Sequence, residues 1–237
     1  MTGAASPKGP ITGAIALAAG YGLRLRPMTE TTPKPLLPVS GRSMLDRALD
    51  RFADAGFEEV VVNASHLADQ IVAFAEARTA PRARVSIEDA PLETGGGVRL
   101  ALERFGDRLG AGPILVANGD AIWLNGAVDA IGRLADRWNG DEMDALLLVH
   151  PTVAAMGYDG YGDFEMAPGG ALVRRREPFV APFVNMGVQL LSPALFMGHA
   201  PGSAFSLNVV YDRALAQERL FGLRHDGAFL HVGTPED

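Results

Sequence analysis

The chain has 237 residues, 48% of them hydrophobic, which is enough to bury the core of one large domain. Its formal net charge of −7 argues against a general nucleic-acid-binding protein. Cysteine is absent, which excludes disulfides and thiolate metal sites, and no apolar run is long enough to span a membrane. We therefore expect a soluble cytoplasmic protein without nucleic-acid or membrane partners, and composition leaves its oligomeric state open.

Apolar periodicity predicts alternating strands and helices along most of the chain. After a loose N-terminus over residues 1–12, we expect one domain over 13–237, with a larger part at 13–150 and a smaller part at 151–237. The predicted strands of the larger part are 14–18, 60–63, 84–88, 113–117 and 145–149. The predicted helices are 43–55, 67–77, 97–105 and 125–138. This alternation is typical of a Rossmann-like, open, mostly parallel α/β sheet with helices on both faces.

Local signals support the helix over residues 43–55. Ser43 followed by Asp46 resembles a capping box at its start, and Gly56 can end it. In the smaller part, short apolar stretches separated by Gly and Pro predict strands at 161–166, 171–176 and 184–191. We expect these strands to form a small antiparallel lobe at the sheet edge, followed by a helix at 207–220 and a strand at 228–232. The last four residues, 234–237, have the composition of a helix start.

The most informative stretch is 17–39, which reads LAAGYGLRLRPMTETTPKPLLPV. A strand that ends in a glycine turn presents backbone amides that can cradle an anion, and Arg24 can donate two hydrogen bonds to phosphate. Lys34 lies between two prolines, which we expect to hold the backbone extended and to present one compact charge. Taken singly, the glycines are equally compatible with a tight turn, and Arg24 and Lys34 with ordinary surface residues. Only two of the 21 Lys and Arg residues are lysines, however, which favours a specific need for Lys34.

This stretch matches neither of two common phosphate-binding loops. No Gly-Lys-Ser/Thr follows the glycines, so it is not a Walker loop, and Leu25 stands where a dinucleotide fingerprint has its third glycine. It closely resembles the signature of the sugar-1-phosphate nucleotidylyltransferases, L-A-A-G-x-G-x-R-L-x-P-x-T…P-K-P-L-x-P-V. The resemblance implies a nucleotide-diphospho-sugar transferase fold, in which 13–150 binds the nucleotide and 151–237 binds the sugar. It also implies that Arg24, Lys34 and Asp120 are the catalytic residues.

The resemblance further implies a set of nucleotide-binding residues spread over four loops. They are Leu17, Ala18, Ala19, Gly20, Gly22, Leu23, Arg24, Lys34, Asn63, Glu93, Gly95, Gly96 and Asn118. The cluster at 92–97, LETGGG, is a second glycine-rich loop, and its glycines permit close approach of a backbone or a flat ring. It is also compatible with a simple loop before a helix. Its Glu-Thr version and the compact length resemble the N-acetylmuramate 1-phosphate uridylyltransferase branch.

Asp120 follows a predicted strand and Asn118-Gly119, at the sheet edge where we also expect the signature loop. A carboxylate there suits Mg²⁺, although Asn-Gly-Asp is also a good turn sequence. In the resembled family, this aspartate holds the metal. The family's second metal ligand is usually an aspartate as well, but this chain has His231 in that place. Imidazole suits Mn²⁺ better than Mg²⁺, so three outcomes stay open: a metal held by Asp120 with water and phosphates, a softer ion, or a weakened enzyme.

By resemblance, Asp163 and Asn185 contact the sugar, although each is equally compatible with a turn or cap role. The family's Glu-Lys-Pro element is replaced here by Arg176-Glu177-Pro178, so its lysine cannot be assigned. We interpret the run 174–176, three arginines, as a solvated face.

The resemblance predicts an enzyme that transfers a nucleotidyl group from an NTP, UTP in this branch, to a sugar α-1-phosphate. N-acetylmuramate 1-phosphate is the expected acceptor, pyrophosphate the second product and peptidoglycan sugar recycling the setting, with Mg²⁺ or Mn²⁺ as the cofactor. Two alternatives remain at this stage. One is a guanylyl- or thymidylyltransferase for another sugar 1-phosphate, and the other is a non-catalytic nucleotide-sugar sensor, which only His231 supports.

Overall fold

The computed structural model describes residues 11–237. The predicted loose N-terminus therefore lies, for residues 1–10, outside the described residues. Its last two residues are a correction: Ile11 is buried, and the Thr12 backbone N–H donates to the Pro113 carbonyl at 3.0 Å. These contacts attach 11–12 to the domain just before the first strand.

The described residues form thirteen strands and five α-helices. The strands are β1 (Gly13–Leu17), β2 (Pro38–Val39), β3 (Arg42–Ser43), β4 (Glu59–Ala64), β5 (Arg82–Ile87), β6 (Ile114–Asn118), β7 (Ile122–Leu124), β8 (Ala145–Pro151), β9 (Phe164–Met166), β10 (Leu172–Arg174), β11 (Phe183–Leu191), β12 (Leu220–Arg224) and β13 (Ala228–Leu230). The helices are α1 (Met44–Asp54), α2 (Ala68–Ala77), α3 (Glu93–Leu109), α4 (Ala130–Arg137) and α5 (Leu207–Ala216). None of these helices combines the length and the apolar character that crossing a membrane requires.

Nine strands form one sheet, in which strand direction is mostly shared. One path of hydrogen-bonded neighbours runs β10-β9-β11-β6-β1-β4-β5, and β8 lies between β11 and β12. β1 is parallel to β4 and β6, β4 to β5, and β8 to β12, whereas β11 is antiparallel to β6 and β8. The predicted open, mostly parallel sheet is therefore confirmed.

Apolar residues on both sides of the sheet form two cores, as the predicted helices on both faces require. Along β1, Ala14 and Ala16 pack with α1, α2 and α4, whereas Ile15 and Leu17 pack with α3 and α5. Helix α1 begins as predicted, because the Ser43 hydroxyl accepts the Asp46 backbone N–H at 3.1 Å.

In the last third of the chain, several strands and helices differ from the prediction in position or length. Of the three strands predicted for the edge lobe, β9 and β10 pair as an antiparallel hairpin. The third, predicted at 184–191, is β11, which lies in the middle of the sheet between β6 and β8. The predicted helix 207–220 ends at Ala216, because the chain turns at Glu218, where φ is 57°, and β12 begins at Leu220. β12 and β7 are strands that the sequence analysis missed.

Other element ends also differ from prediction. Helix α3 starts at Glu93 rather than at 97, so the glycine cluster is its first turn. Helix α4 starts at Ala130 rather than at 125, because the Asp129 carboxylate accepts the Gly132 backbone N–H at 2.6 Å and caps the helix there. The final strand ends at Leu230, and residues 234–237 form no helix.

Two buried polar side chains of the large sheet, Ser86 and Gln189, lack hydrogen-bond partners among residues 11–237, and Gln189 leaves a whole amide unpaired. Gln189 of β11 is fully buried between Val116 and Leu147 of the flanking strands, and neither atom of its amide has a partner among residues 11–237. A buried amide without partners loses its hydration without compensation, which costs free energy of folding.

We therefore predict that Gln189→Met, which is similar in shape and apolar, raises the free energy of unfolding by about 1–3 kcal/mol. Chemical denaturation of the wild type and the variant measures this. Gln217→Met, at an exposed position after α5, is the matched control and should leave stability unchanged. A loss of stability in Gln189→Met would show that the amide is satisfied.

Candidate active site

The candidate site lies at the carboxyl ends of β1, β4 and β6, where the strand order reverses. From β1 the chain continues to β4 on one side and later returns to β6 on the other, which creates the crevice where α/β sheets bind ligands. A cavity of about 300 Å³ opens there. It is lined by Leu17, Ala18, Ala19, Gly20, Gly22, Lys34, Pro35, Asn63, Glu88, Pro91, Glu93, Thr94, Asn118 and Asp120.

The signature loop wraps around this cavity. Gly22 has a left-handed backbone with φ of 61°, and a Cβ there would lie 2.9 Å from both Lys34 and Thr29 side-chain atoms. The Thr29 hydroxyl donates to the Gly22 carbonyl at 2.9 Å and fixes the turn. Gly20 faces open space, so its position leaves room in the cavity. The conformation at Lys34 differs from prediction: it begins a short 3-10 turn over Lys34–Leu36, since Pro33 and Pro35 both fit a helix start.

Lys34 and Asp120 form an ion pair, with Nζ 2.5 Å from Oδ2. Their side chains are 14% and 29% exposed, so each charge is partly desolvated. The Gly119 backbone N–H donates to the Leu17 carbonyl at 2.8 Å and brings Asp120 against the signature loop. Two of the three residues predicted to be catalytic, Lys34 and Asp120, thus meet on one wall of the cavity.

Two further cavities continue from the first, and each shares lining residues with the cavity before it. One, of about 190 Å³, contains Lys34, Asn118 and Asp120 and adds Arg24, Asn185 and His231, among others. The next, of about 290 Å³, is lined by Arg24, Tyr158 and His231 together with Gly157, Asp159, Gly233, Thr234 and Asp237. Arg24 therefore lies in these two cavities and not on the wall formed by residues 17–22. Leu23, also predicted to bind the nucleotide, lines none of the three cavities and is exposed.

The His231 imidazole is half-buried and lines both of these further cavities. Its ring is edge-on to that of Tyr158, with 5.6 Å between the centroids. Burial lowers its pKa below 6.5, and the charges of Lys34 and Arg24 lower the pKa further, whereas Asp120 and Asp237 oppose the shift. The site therefore favours the neutral form of the His231 imidazole.

The metal-binding capacity of the site rests on few groups. Within residues 11–237, no three His, Asp or Glu side chains are grouped as metal ligands. Asp120 and His231 line one cavity, and a single carboxylate there fits a cation that takes its other ligands from phosphates and water.

The glycine cluster differs from its expected position. The Gly95 and Gly96 backbone N–H groups both donate to the Phe205 carbonyl, at 2.8 and 3.0 Å. A Cβ on Gly95 would lie 2.5 Å from the Phe205 ring, and one on Gly96 would lie 2.4 Å from the Ser203 carbonyl. These glycines do permit the close approach of another backbone, but it is that of 203–205. Their role in nucleotide binding stays a prediction. The residues of this cluster that line the cavity are Glu93 and Thr94.

Asn63 and Glu88 form the floor of the cavity on the β4 and β5 side. The Asn63 side-chain oxygen accepts the Ala18 backbone N–H at 2.6 Å, and its amide nitrogen donates to Glu88 at 2.6 Å. Burial raises the pKa of Glu88 above 4.5, and hydrogen bonds from Leu92 and Asn63 counteract that shift in part. Sequence reasoning missed Glu88, although it lies at the end of a predicted strand, as Asn63, Asn118 and the signature loop also do.

The residues predicted to bind the sugar touch each other. An Asp163 carboxylate oxygen accepts the Asn185 backbone N–H at 2.8 Å, and Asn185, but not Asp163, lines the cavity that holds Asp120. Arg174 was expected on a solvated face, but its guanidinium hydrogen-bonds Asp212 of α5 at 2.8 Å and covers the Phe164 ring. It therefore attaches the β9–β10 hairpin to α5.

The pKa of His231 gives a direct test of the site's electrostatics. We predict that Lys34→Ala raises the His231 pKa and that Asp120→Asn lowers it, because the first removes a nearby positive charge and the second a negative one. Histidine-selective NMR titration measures both shifts. Arg26→Ala, on the same loop, is the control and should leave the His231 pKa unchanged. Shifts of the opposite sign would contradict this arrangement of charges.

Comparison with known proteins identifies the family of the chain. Residues 14–217 match the family described as the MobA-like NTP transferase domain. The N-acetylmuramate α-1-phosphate uridylyltransferase of Caulobacter vibrioides is 36% identical over 228 residues, covering 94% of this chain and 92% of that protein. The enzyme of the same name from Neisseria meningitidis serogroup B is 33% identical over 231 residues, covering 93% of each.

A solved structure shares the fold. HddC from Yersinia pseudotuberculosis, complexed with GMP-PN, superposes with a TM-score of 0.73 at 20% identity, covering 95% of this chain and 96% of that one. With the family match over most of the chain and two relatives above 30% identity, the chain belongs to the sugar-1-phosphate nucleotidylyltransferases, within the MobA-like NTP transferase domain family.

Proposed function

We propose that this enzyme transfers the uridylyl group of UTP to N-acetylmuramate α-1-phosphate, giving UDP-N-acetylmuramate and pyrophosphate. The choice of base and sugar is supported by the names of the two relatives that align with nearly the whole chain. A cytoplasmic location and a role in recycling peptidoglycan sugars agree with these substrates.

The observation that carries the reaction type is the Lys34–Asp120 pair at the sheet's switch point. A cation and a carboxylate, both partly desolvated, lie where the first and second cavities share a wall. The first cavity, between the signature loop and Glu93, is the proposed nucleotide site, formed by the 13–150 part of the chain. The second, which reaches Asn185, is the proposed sugar-phosphate site, to which the 151–237 part contributes.

The proposed step is one in-line displacement. A phosphate oxygen of the sugar 1-phosphate attacks the α-phosphorus of UTP, the bond from that phosphorus to the oxygen bridging to the β-phosphate breaks, and pyrophosphate leaves with the electron pair. No covalent enzyme intermediate is needed, so the protein contributes by positioning the two phosphates and neutralising their charge.

The residues divide these tasks. Lys34 would neutralise the α-phosphate and the incoming sugar phosphate, both of which meet at the wall it occupies. Arg24 would bind the departing phosphates from its place beside His231. Asp120 would hold Mg²⁺ or Mn²⁺, which, when bound, neutralises charge on the nucleotide phosphates. Asn185 would orient the sugar, and its backbone N–H, which donates to the Asp163 carboxylate, would hold it in position.

Pyrophosphate release from the purified protein tests the assignment of substrates. UTP, GTP, dTTP, CTP and ATP are each paired with the 1-phosphates of N-acetylmuramate, glucose, N-acetylglucosamine and mannose, in Mg²⁺ or in Mn²⁺. We expect the highest kcat/KM for UTP with N-acetylmuramate 1-phosphate. A higher value for another pair would overturn the substrate assignment and leave the reaction type. Tight nucleotide binding without turnover of any pair would overturn both and favour a sensor.

We also predict that Lys34→Ala keeps its fold and loses about 100-fold or more in kcat, because a preorganised charge at a transferring phosphate contributes about 3 kcal/mol to transition-state stabilisation. Pyrophosphate release and circular dichroism measure the two effects. Arg26→Ala, which removes an exposed cation from the same loop, is the matched control and should turn over normally. A folded Lys34→Ala enzyme with a near-normal rate would exclude the proposed role.

A further inference from the structure

A buried chain of three hydrogen bonds runs beneath the first cavity. The Ala18 backbone N–H donates to Asn63 Oδ1 at 2.6 Å, Asn63 Nδ2 donates to Glu88 Oε1 at 2.6 Å, and the Leu92 backbone N–H donates to Glu88 Oε2 at 2.9 Å. Because Ala18, Asn63 and Glu88 lie at the ends of β1, β4 and β5, the chain crosses three neighbouring strands. It connects the signature loop to the loop that ends at Leu92, just before Glu93 begins α3.

The two side chains in this series of hydrogen bonds, Asn63 and Glu88, are both buried and hydrogen-bonded. Asn63 is 2% exposed and Glu88 is 3% exposed, and each oxygen of the Glu88 carboxylate accepts one of these bonds. Within residues 11–237, Glu88 takes part in no ion pair, and its burial is compensated by the hydrogen bonds from Leu92 and Asn63 together with the charge of Arg104. Burying a carboxylate costs free energy of folding unless its oxygens accept hydrogen bonds, and here both oxygens do.

The third glycine of the cluster makes room for this arrangement. A Cβ on Gly97 would lie 2.5 Å from Asn63 Nδ2 and 2.6 Å from Glu88 Oε1. Any side chain there would separate the two groups. The structure therefore gives Gly97 a role that differs from that of Gly95 and Gly96, which pack against 203–205.

We propose that Glu88 is a positioning residue that acts through Asn63 and the Leu92 amide to set the distance between the two loops that hold the nucleotide. This inference rests on the proposed function, since it takes the first cavity as the nucleotide site. Glu88 sets nucleotide affinity, whereas Lys34 and Asp120 carry the transfer step.

Donor and acceptor chemistry provides a reciprocal test. In Glu88→Gln, the side chain has one acceptor for two donors, and its amide nitrogen opposes either Asn63 or Leu92. In Asn63→Asp, two carboxylates face each other. The double variant combines both substitutions and so exchanges the amide and the carboxylate between the two positions. The carboxylate at position 63 then accepts from the Ala18 N–H and from the amide nitrogen at position 88, whose amide oxygen accepts from the Leu92 N–H. All three hydrogen bonds and the net charge are restored.

Calorimetric titration with UTP, without a sugar phosphate, measures the effect on binding. We expect each single variant to weaken UTP binding about tenfold or more, as the loss of a charge-assisted hydrogen bond does, and the double variant to recover affinity to within about threefold of wild type. In steady-state assays, the single variants should raise the KM for UTP with little change in kcat. Glu103→Gln, at an exposed position of α3, is the control and should bind UTP as wild type does.

Two results would overturn the inference: wild-type UTP affinity in Glu88→Gln, or no recovery in the double variant, which would mean that Glu88 acts by itself. If a single variant fails to fold, a folded double variant that binds UTP still supports the coupling, and one that does not bind overturns it. Failure of the proposed function is distinguishable, since it shows as absent UTP binding or turnover in the wild type.

Discussion

The site depends on one constraint, the register that pairs β1 with β6. That register places Leu17 beside Asn118, so the loops that follow the two strands leave the sheet together. Lys34 and Asp120, far apart in sequence, are held at 2.5 Å between their charged atoms as a result. Opposite charges that are partly desolvated attract strongly, and the cavities on either side share both residues as their common wall.

The antiparallel strand β11 completes the site from the other side. Because it runs against its neighbours, it begins at the edge where they end, and this brings Asn185 to the cleft. Its pairing with β8 shifts register between Asn185 and Gln189. Gly187 lies within the shift at φ of 71°, and a Cβ there would lie 2.4 Å from Asn118 Nδ2. Glycine is thus required for β11 to pass Asn118.

The sequence predicted what depends on local pattern and failed where contacts distant in the chain decide. Periodicity located the first helices and the parallel strands, and the signature identified the loop that carries Lys34. The central place of β11 was not predictable, because an apolar strand reads alike at an edge and in the middle of a sheet. The first residue of β12 was predicted as the end of a helix, since only the pairing with β8 distinguishes this strand.

The glycines at 95 and 96 were assigned to a ligand because the approach of Phe205, far along the chain, leaves no local signal. Glu88 was missed for a similar reason: its partners Asn63 and Leu92 belong to different elements.

We propose that Lys34 and Asp120 act as one unit at the reacting phosphates. The kcat for nucleotidyl transfer in a double-mutant cycle of Lys34→Ala, Asp120→Asn and the double variant tests this most directly. If the two residues act together, each single variant loses most turnover, and the double variant loses little more than the worse of them. Losses that multiply, or a single variant with a near-normal rate, would contradict the claim.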